Sequence, residues 1–243
     1  MSNPQLNKLT ALLLILEFVL VFTPFLVLQA VFDFPDILRQ PADAALRLFS
    51  QNSSTIIPTY YAFMLSGVLL IPLSILVRQV LVRHDSSDST DSTLLSLATV
   101  FGIVTGIVQF LGFVRWPFMI PHLAETYLNP ISSAATREAA VVVYESFNRY
   151  AGVAVGEHLG WLFLSLWTVL IAIAMLRSRQ FKPWVGQAGI VIGIGFLVSS
   201  LEQFGGNLAP FFGTINLLAN VMWTFWLLVL AVFLLRARPV KVA

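Results

Sequence analysis

Long apolar runs separated by short polar stretches make up most of this chain. A helix needs about 20 mostly apolar residues to cross the hydrocarbon core of a bilayer. Six runs meet that requirement, at residues 9–32, 57–82, 94–118, 152–176, 184–204 and 212–235. The first has a longer apolar core than the roughly 7–15 residues of a signal peptide, so we expect a retained helix. The pattern predicts an all-α, polytopic bundle of six transmembrane helices, with residues 1–243 as a single membrane domain.

The composition agrees with a protein that is solvated by lipid. Hydrophobic residues make up 58% of the chain and charged residues 11%, whereas soluble domains contain roughly 25% charged residues. The net charge is only +2, and the basic residues lie in short loops instead of a stripe, which argues against nucleic acid as a partner. The chain has no cysteine, which excludes disulfides, thiol catalysis and thiolate ligands to a metal or haem.

The Lys and Arg residues predict the orientation, because cytoplasmic loops carry an excess of them. The N-terminus, the second and fourth loops and the C-terminus hold nine: Lys8, Arg78, Arg83, Arg177, Arg179, Lys182, Arg236, Arg238 and Lys241. The opposite side, including helix ends, holds five: Arg39, Arg47, Arg115, Arg137 and Arg149. We therefore expect both termini in the cytoplasm. The second loop, residues 85–93, is acidic and rich in hydroxyl groups, which predicts a flexible linker, with a regulatory phosphorylation loop as the alternative.

Two outward loops are long and amphipathic. Residues 33–56 place Pro41 at a first-turn position and then Ala45, Leu46 and Phe49 at helical spacing, with Asp43 and Arg47 on the other side. Proline favours the first turn of a helix, and a helix with one apolar and one charged face suits a membrane interface. We expect a short interfacial helix here.

The other long outward loop covers residues 119–151 and leads directly into the fourth span. Pro117 and Pro121 predict a kink at the end of the third span, and a helical pattern resumes from about Ser133. A straight helix from there to the end of the fourth span would be about 68 Å long at 1.5 Å per residue, compared with a hydrocarbon core of about 30 Å. We therefore expect a bend near Asn148–Gly152 and an interfacial first part.

Short motifs from the third span to the fourth resemble a known family. They are Arg115-Trp116-Pro117-Phe118 followed by Pro121 and Leu123-Ala124, Ala135-Thr136-Arg137-Glu138-Ala139, Asn148-Arg149-Tyr150-Ala151-Gly152-Val153, Gly156-Glu157-His158-Leu159-Gly160 and Leu166-Trp167-Thr168. Together they resemble domain-of-unknown-function family 4386, bacterial multi-pass membrane proteins, best over about residues 95–235. The resemblance implies a bacterial cytoplasmic (inner) membrane and a bundle of six or seven helices. It implies no activity.

Ionisable and amide side chains inside the spans are the candidate functional residues, because such groups inside a membrane are expensive and mark sites by default. With the orientation above, six of them fall near the outer ends of spans three to six: Arg115, Glu157, His158, Glu202, Asn216 and Asn220. We expect an outward-facing polar pocket with two carboxylates, one guanidinium and one imidazole. Its ligand would be a small molecule, a lipid headgroup or an ion or proton, and the protein would be a carrier or sensor.

Two other functions compete with binding. A membrane-embedded enzyme would use Glu157 and His158 with a second carboxylate. A structural subunit would use the same charges only to compensate each other, for example through an ion pair of Arg115 with Glu157 or Glu202. We expect the lipid bilayer as a partner, and a homo-oligomer or a larger membrane complex is consistent with either function.

Helical geometry separates the features of the fourth span. Gly152, Gly156 and Gly160 form a stripe of small residues that favours close helix packing. At 100° per residue Glu157 lies about 100° from Gly156, and His158 lies about 160° from the centre of the stripe. We therefore expect Glu157 to face Arg115 and Glu202, and His158 to face a different neighbour.

A metal or haem site is a minor alternative, and no cofactor is expected. His122 and Glu125 have an i,i+3 spacing that would place both on one helical face, and His158 or Glu202 would complete a His/carboxylate metal site. The same two histidines would be the ligands of a haem. In the first span, Glu17 is expected to pair with Arg78 or Arg83 at the cytoplasmic side.

Overall fold

The computed structural model describes residues 3–84, 89–178 and 180–237, and within these ranges the regular elements are helices only. The α-helices are α1 (Asn3–Phe32), α2 (Ala42–His84), α3 (Ser89–Phe113), α4 (Arg115–Phe118), α5 (Ile120–Leu128), α6 (Ala134–Phe147), α7 (Gly160–Arg177), α8 (Pro183–Ser199) and α9 (Ala209–Arg236). A π-helical segment, Asn148–Leu159, joins α6 to α7, and 3-10 turns occupy Asp36–Arg39 and Ser200–Phe204. Of the predicted acidic linker, residues 85–88 lie outside the described ranges, and α3 begins at Ser89.

Within the described ranges, six helical runs are long and apolar enough to cross a membrane, which confirms the predicted number of spans. They are Pro4–Phe32, Ala42–Val82, Thr93–Leu128, Ala134–Arg177, Pro183–Phe204 and Ala209–Arg236. Several of these runs are longer than predicted because the polar outer segments are themselves helical. The all-α, polytopic bundle expected from the apolar pattern is therefore the observed architecture.

The six spanning helices form a closed ring. Each packs against the next along the chain, in the order α1, α2, α3, α7, α8 and α9, and α9 returns to pack against α1. The interior of the ring is apolar, with Trp167, Phe196 and Trp223 among its buried side chains. The connections α1–α2, α5–α6 and α8–α9 lie at the same end of the bundle, which we call the outer end.

The predicted glycine stripe is a packing contact between α3 and the π-helical segment. A Cβ atom on Gly112 would lie only 2.7 Å from the Cα of Gly156, and one on Gly156 would lie 3.0 Å from the Cα of Gly112. Backbones approach this closely only where both residues lack a side chain. Gly160 is less constrained, because its Cβ would lie 3.5 Å from Gln109, an ordinary contact distance.

A second hydrophobic cluster lies at the outer end. The predicted short helix forms the beginning of α2, and its backbone leaves helical geometry at Asn52, with φ −121° and ψ 18°. Ala45, Leu46 and Phe49 are buried as its apolar face. That face packs in the same cluster as Trp116, so it is covered by protein rather than by lipid.

The expected bend at Asn148–Gly152 takes a different form. The chain stays helical from Ala134 to Arg177, and Ser133 caps the start by accepting a hydrogen bond from the backbone N–H of Thr136. At Asn148 the helix changes to π geometry for 12 residues, in which the backbone bonds connect residues five apart instead of four. The helical geometry therefore changes where the bend was predicted, from α to π.

Candidate functional site

Three elements at the outer end bring charged and amide side chains together. Arg39 ends the first 3-10 turn, Glu157 lies in the π-helical segment, and Glu202 and Gln203 lie in the second 3-10 turn. The guanidinium of Arg39 donates to both carboxylate oxygens of Glu157, at 2.5 and 3.3 Å. Its Nη2 also lies 3.4 Å from Glu202 Oε1. We call these four residues the outer carboxylate cluster.

Gln203 closes the cluster with two further hydrogen bonds. Its Nε2 donates to Glu157 Oε2 at 2.9 Å, and its Oε1 accepts from Arg39 Nη2 at 3.4 Å. Both polar ends of the amide are therefore used within the cluster. Because an amide contributes no net charge, the cluster has two carboxylates against one guanidinium.

The two 3-10 turns that carry these side chains are held in place in different ways. Ile37 and Leu38 are buried in the outer hydrophobic cluster, which fixes the first 3-10 turn and leaves Arg39 at its end. The second turn stops at Gly205, which has φ 76°, a left-handed conformation that favours glycine. Its N–H donates to the carbonyl of Glu202 at 3.0 Å. The first turn is thus fixed by burial against distant helices, and the second is ended by a glycine next to the residues that carry charge.

Solvent reaches the cluster unevenly. The side chain of Arg39 is 41% exposed, while those of Glu157 and Glu202 are 17% and 20% exposed. Partial burial disfavours the charge on Arg39, but the hydrogen bond and the charge of Glu157 outweigh it and raise the pKa of the guanidinium. Arg39 therefore remains a cation, and the cluster as a whole has one negative charge when both carboxylates are ionised.

Among the described residues, Arg115 does not form the ion pair with Glu157 or Glu202 that is expected for a structural subunit. Arg115 is buried; its guanidinium donates to the carbonyl oxygen of Gly112 and, at 3.0 Å, to Asn148 Oδ1. Gly152 lies directly against this guanidinium, where a Cβ atom would overlap it. The side chain is thus directed between the helices, and Arg39 takes the position predicted for Arg115.

Asn148 connects the two arginines. Its Oδ1 accepts from Arg115, and its Nδ2 donates to the carbonyl oxygen of Leu38 at 3.1 Å. Leu38 immediately precedes Arg39 in the chain. One amide side chain at the start of the π-helical segment therefore ties the buried arginine to the turn that holds the exposed one.

His158 lies next to the cluster and contacts other residues of the 3-10 turn that carries Glu202 and Gln203. Its Nδ1 is 3.3 Å from the carbonyl oxygen of Ser200, and its ring meets the ring of Phe204 edge to face at 5.4 Å between centroids. Glu157 contacts Gln203 in the same 3-10 turn. The two neighbouring residues thus reach one turn, although helical angles predicted different neighbours for them.

Asn216 and Asn220 lie beside the cluster on α9. Asn216 donates to Ser199 Oγ at 3.1 Å, and Asn220 donates to Asn216 Oδ1 at 2.9 Å. The first bond joins α9 to the end of α8, immediately before the turn that carries Glu202, and the second lies within α9. Glu202 itself lies over α9 at Gly213, where a Cβ atom would be 3.4 Å from the carboxylate carbon.

Two other expected arrangements are not seen among the described residues. Among the described residues, groups of three or more His, Asp or Glu side chains that could hold a metal ion do not occur, so His122, Glu125 and His158 are not assembled into a metal site. Glu17 is 1% exposed, its Oε2 has no hydrogen-bond partner, and it forms no ion pair within the described part of the chain. The side chain of Arg83, one expected partner, lies outside that part.

Sequence reasoning missed Arg39 and Gln203. Arg39 lies in a loop outside the apolar runs, whereas the six residues of the predicted pocket all lie inside them. A signal was present, because two carboxylates at outer span ends require cations and the outer side has few. Gln203 follows Glu202 directly and has no pattern of its own.

Comparison with known proteins places almost the entire chain in one family. Residues 9–236 match the sequence model of a family described as a domain of unknown function, DUF4386. No curated protein and no solved structure is detectably similar to the chain.

Proposed function

The chain therefore belongs to the DUF4386 family, and we propose that it is a membrane protein that binds a small cationic group at the outer carboxylate cluster. The observation that carries this proposal is the convergence of Glu157 and Glu202 on the single guanidinium of Arg39. Two carboxylates that face one cation have acceptor capacity for a second, since each carboxylate oxygen accepts more than one hydrogen bond. The favoured ligand chemistry is an ammonium group.

Arg39 is an internal model for such a ligand. Its guanidinium is held by the same two carboxylates and the same amide that would surround an ammonium group. It is also more exposed than either carboxylate, so it covers the cluster from the solvent side. A ligand that reaches the carboxylates either replaces Arg39 or binds next to it.

The surroundings of the cluster suit an amphipathic ligand. Phe204, Leu208 and Phe211 follow Glu202 along the chain and are 76%, 62% and 59% exposed. An ammonium headgroup joined to an apolar chain would match a polar cluster with apolar side chains beside it. The proposal therefore includes a lipid headgroup as well as a soluble amine, which share the ammonium group.

The proposal also covers the membrane in which the protein lies and its orientation there. The excess of Lys and Arg on the side of the termini supports cytoplasmic termini in a bacterial inner membrane, which would place the outer carboxylate cluster on the periplasmic side. A site at the outer surface suits a sensor or the first binding site of a carrier.

The proposal is tested by lipid retention and by amine binding. The wild-type protein, Glu157→Gln and Glu202→Gln would be purified from membranes that contain phosphatidylethanolamine and phosphatidylglycerol, and retained lipids counted by native mass spectrometry. Ethanolamine would be titrated separately. Glu145→Gln, on the exposed surface of α6, is the matched control. We expect the two cluster variants to bind roughly tenfold more weakly, because each loses a charge-assisted hydrogen bond.

The outcomes separate the ligand sources. Preference for phosphatidylethanolamine without ethanolamine binding assigns the cluster to a lipid, and ethanolamine binding assigns it to a soluble amine. If the wild-type protein binds neither probe more tightly than Glu157→Gln does, the proposal is wrong.

A structural function is the second candidate, favoured by the two bonds between Arg39 and Glu157. On that alternative the cluster joins the outer segments to the bundle and binds nothing. It predicts that Glu157→Gln lowers the unfolding temperature equally with and without either probe.

A further inference from the structure

A second group of polar side chains, buried at the outer end, shares no residue with the outer carboxylate cluster. Arg115 is 7% exposed, and its Nε has no hydrogen-bond partner among the described residues. The hydroxyl groups of Tyr60 and Tyr144 are also buried without a partner there, in side chains that are 0% and 1% exposed. Three polar groups are thus unsatisfied in one hydrophobic cluster.

The three side chains come from different elements and lie near one another. Tyr60 is in α2, Arg115 in α4 and Tyr144 in α6. The ring of Trp116 connects Tyr60 to Arg115, since it stacks on Tyr60 at 4.8 Å and lies 5.3 Å from the guanidinium carbon of Arg115. Tyr144 lies one helical turn before Asn148, whose backbone N–H donates to the carbonyl of Tyr144 and whose Oδ1 accepts from Arg115 at 3.0 Å.

Unpaired groups of this kind are costly in a protein interior. A buried donor without a partner costs about 1–3 kcal/mol, and more when it is charged. A buried arginine normally has a carboxylate partner, but Arg115 forms no ion pair among the described residues. The carboxylate whose charge acts on it, that of Glu157, is bonded to Arg39 and Gln203 instead.

We propose that Arg115, Tyr60 and Tyr144 form a binding site for a small inorganic anion of halide size. All three offer hydrogen-bond donors, an N–H and two O–H groups, and the guanidinium supplies the positive charge. The ligand is small because Gly152 and the carbonyl of Gly112 already occupy the other sides of the guanidinium.

The anion site goes beyond the proposed cation binding and uses different residues. The two sites are nevertheless linked by charge, since Glu157 acts electrostatically on Arg115. A cation at the outer carboxylate cluster would offset the repulsion between Glu157 and the anion. Binding of a cation at the outer carboxylate cluster would therefore strengthen binding of the anion, and the reverse.

The test compares halide with a large anion at equal ionic strength. The unfolding temperature of the full-length protein would be measured while potassium gluconate is replaced by potassium bromide. Tyr60→Phe and Tyr144→Phe each remove one donor, and Tyr61→Phe is the matched control because Tyr61 neighbours Tyr60 and is 45% exposed. Bromide should stabilise the wild-type protein and Tyr61→Phe, and should bind roughly tenfold more weakly to the other two variants.

The second measurement is crystallographic and keeps the proposal falsifiable if a variant fails to fold. Crystals of the wild-type protein grown in bromide should show an anomalous peak within hydrogen-bond distance of Arg115 Nε. An ordered water there, with no anomalous signal and no bromide effect on unfolding, would overturn the proposal. The proposal would also be overturned if Tyr144→Phe raised the unfolding temperature equally in both salts, because that result would indicate a site that holds neither water nor an anion.

Discussion

Arg39 donates to both carboxylate oxygens of Glu157, although 118 residues separate them in the chain. The first comes from a short turn between α1 and α2, and the second comes from the π-helical segment before α7. The bond therefore joins the first outer connection to the middle of the fourth span. Because either residue can be substituted separately, the contribution of this contact to the free energy of unfolding can be measured.

We expect Arg39 and Glu157 to be energetically coupled. Single variants Arg39→Gln and Glu157→Gln should each destabilise the protein, and the double variant should lose less than the sum, with a coupling energy of about 1 kcal/mol for this partly exposed pair. Denaturant unfolding in a mild detergent measures it. The exposed pair Asp43–Arg47, 2.6 Å apart, is the control and should show a smaller coupling. Additive effects of the two cluster variants would contradict the expectation.

Asn148 should matter more for stability than its small size suggests. It holds Arg115 through Oδ1 and the carbonyl of Leu38 through Nδ2, so Asn148→Ala leaves two partly buried groups with fewer partners. We expect a loss of roughly 1–3 kcal/mol in the free energy of unfolding. Asn207→Ala, at an exposed position between α8 and α9, should change it little. Equal effects of the two substitutions would show that the hydrogen bonds of Asn148 do not stabilise the protein.

The spans and the packing glycines were predictable because both depend on local patterns. Twenty apolar residues specify a spanning helix whatever surrounds it, and glycines four apart face one neighbour. Ser133 and Pro121 likewise act on the few residues next to them. Each of these features was found at its predicted place.

The charge partners were not predictable for two physical reasons. The position of Arg39 depends on a short turn whose direction is set by burial of Ile37 and Leu38 against distant helices. The π-helical segment changes the angle between successive side chains, so angles based on 100° per residue place His158 wrongly. An apolar run carries no mark that distinguishes α from π geometry.

The glycines of the fourth span should respond unequally to alanine. Gly156→Ala places a Cβ atom 3.0 Å from the backbone of Gly112, whereas Gly160→Ala places one at 3.5 Å from a side chain that can move. We expect Gly156→Ala to destabilise the protein by about 1–3 kcal/mol through overpacking. Gly160→Ala should be neutral or stabilising, because alanine favours helix over glycine by roughly 1 kcal/mol. Unfolding temperatures of the purified variants would compare them. Equal tolerance at both positions would mean that α3 and the π-helical segment are not in close contact.

The orientation can be tested cleanly because the natural chain has no cysteine. Asn207→Cys introduces one thiol at the outer end, and Lys182→Cys introduces one between α7 and α8, at the opposite end; both positions are exposed. If the termini are cytoplasmic, a membrane-impermeant maleimide added to intact cells should label Asn207→Cys and not Lys182→Cys. Permeabilised cells should show labelling of both, which controls for reactivity. The reverse pattern would place the outer carboxylate cluster in the cytoplasm and move its ligand to that compartment.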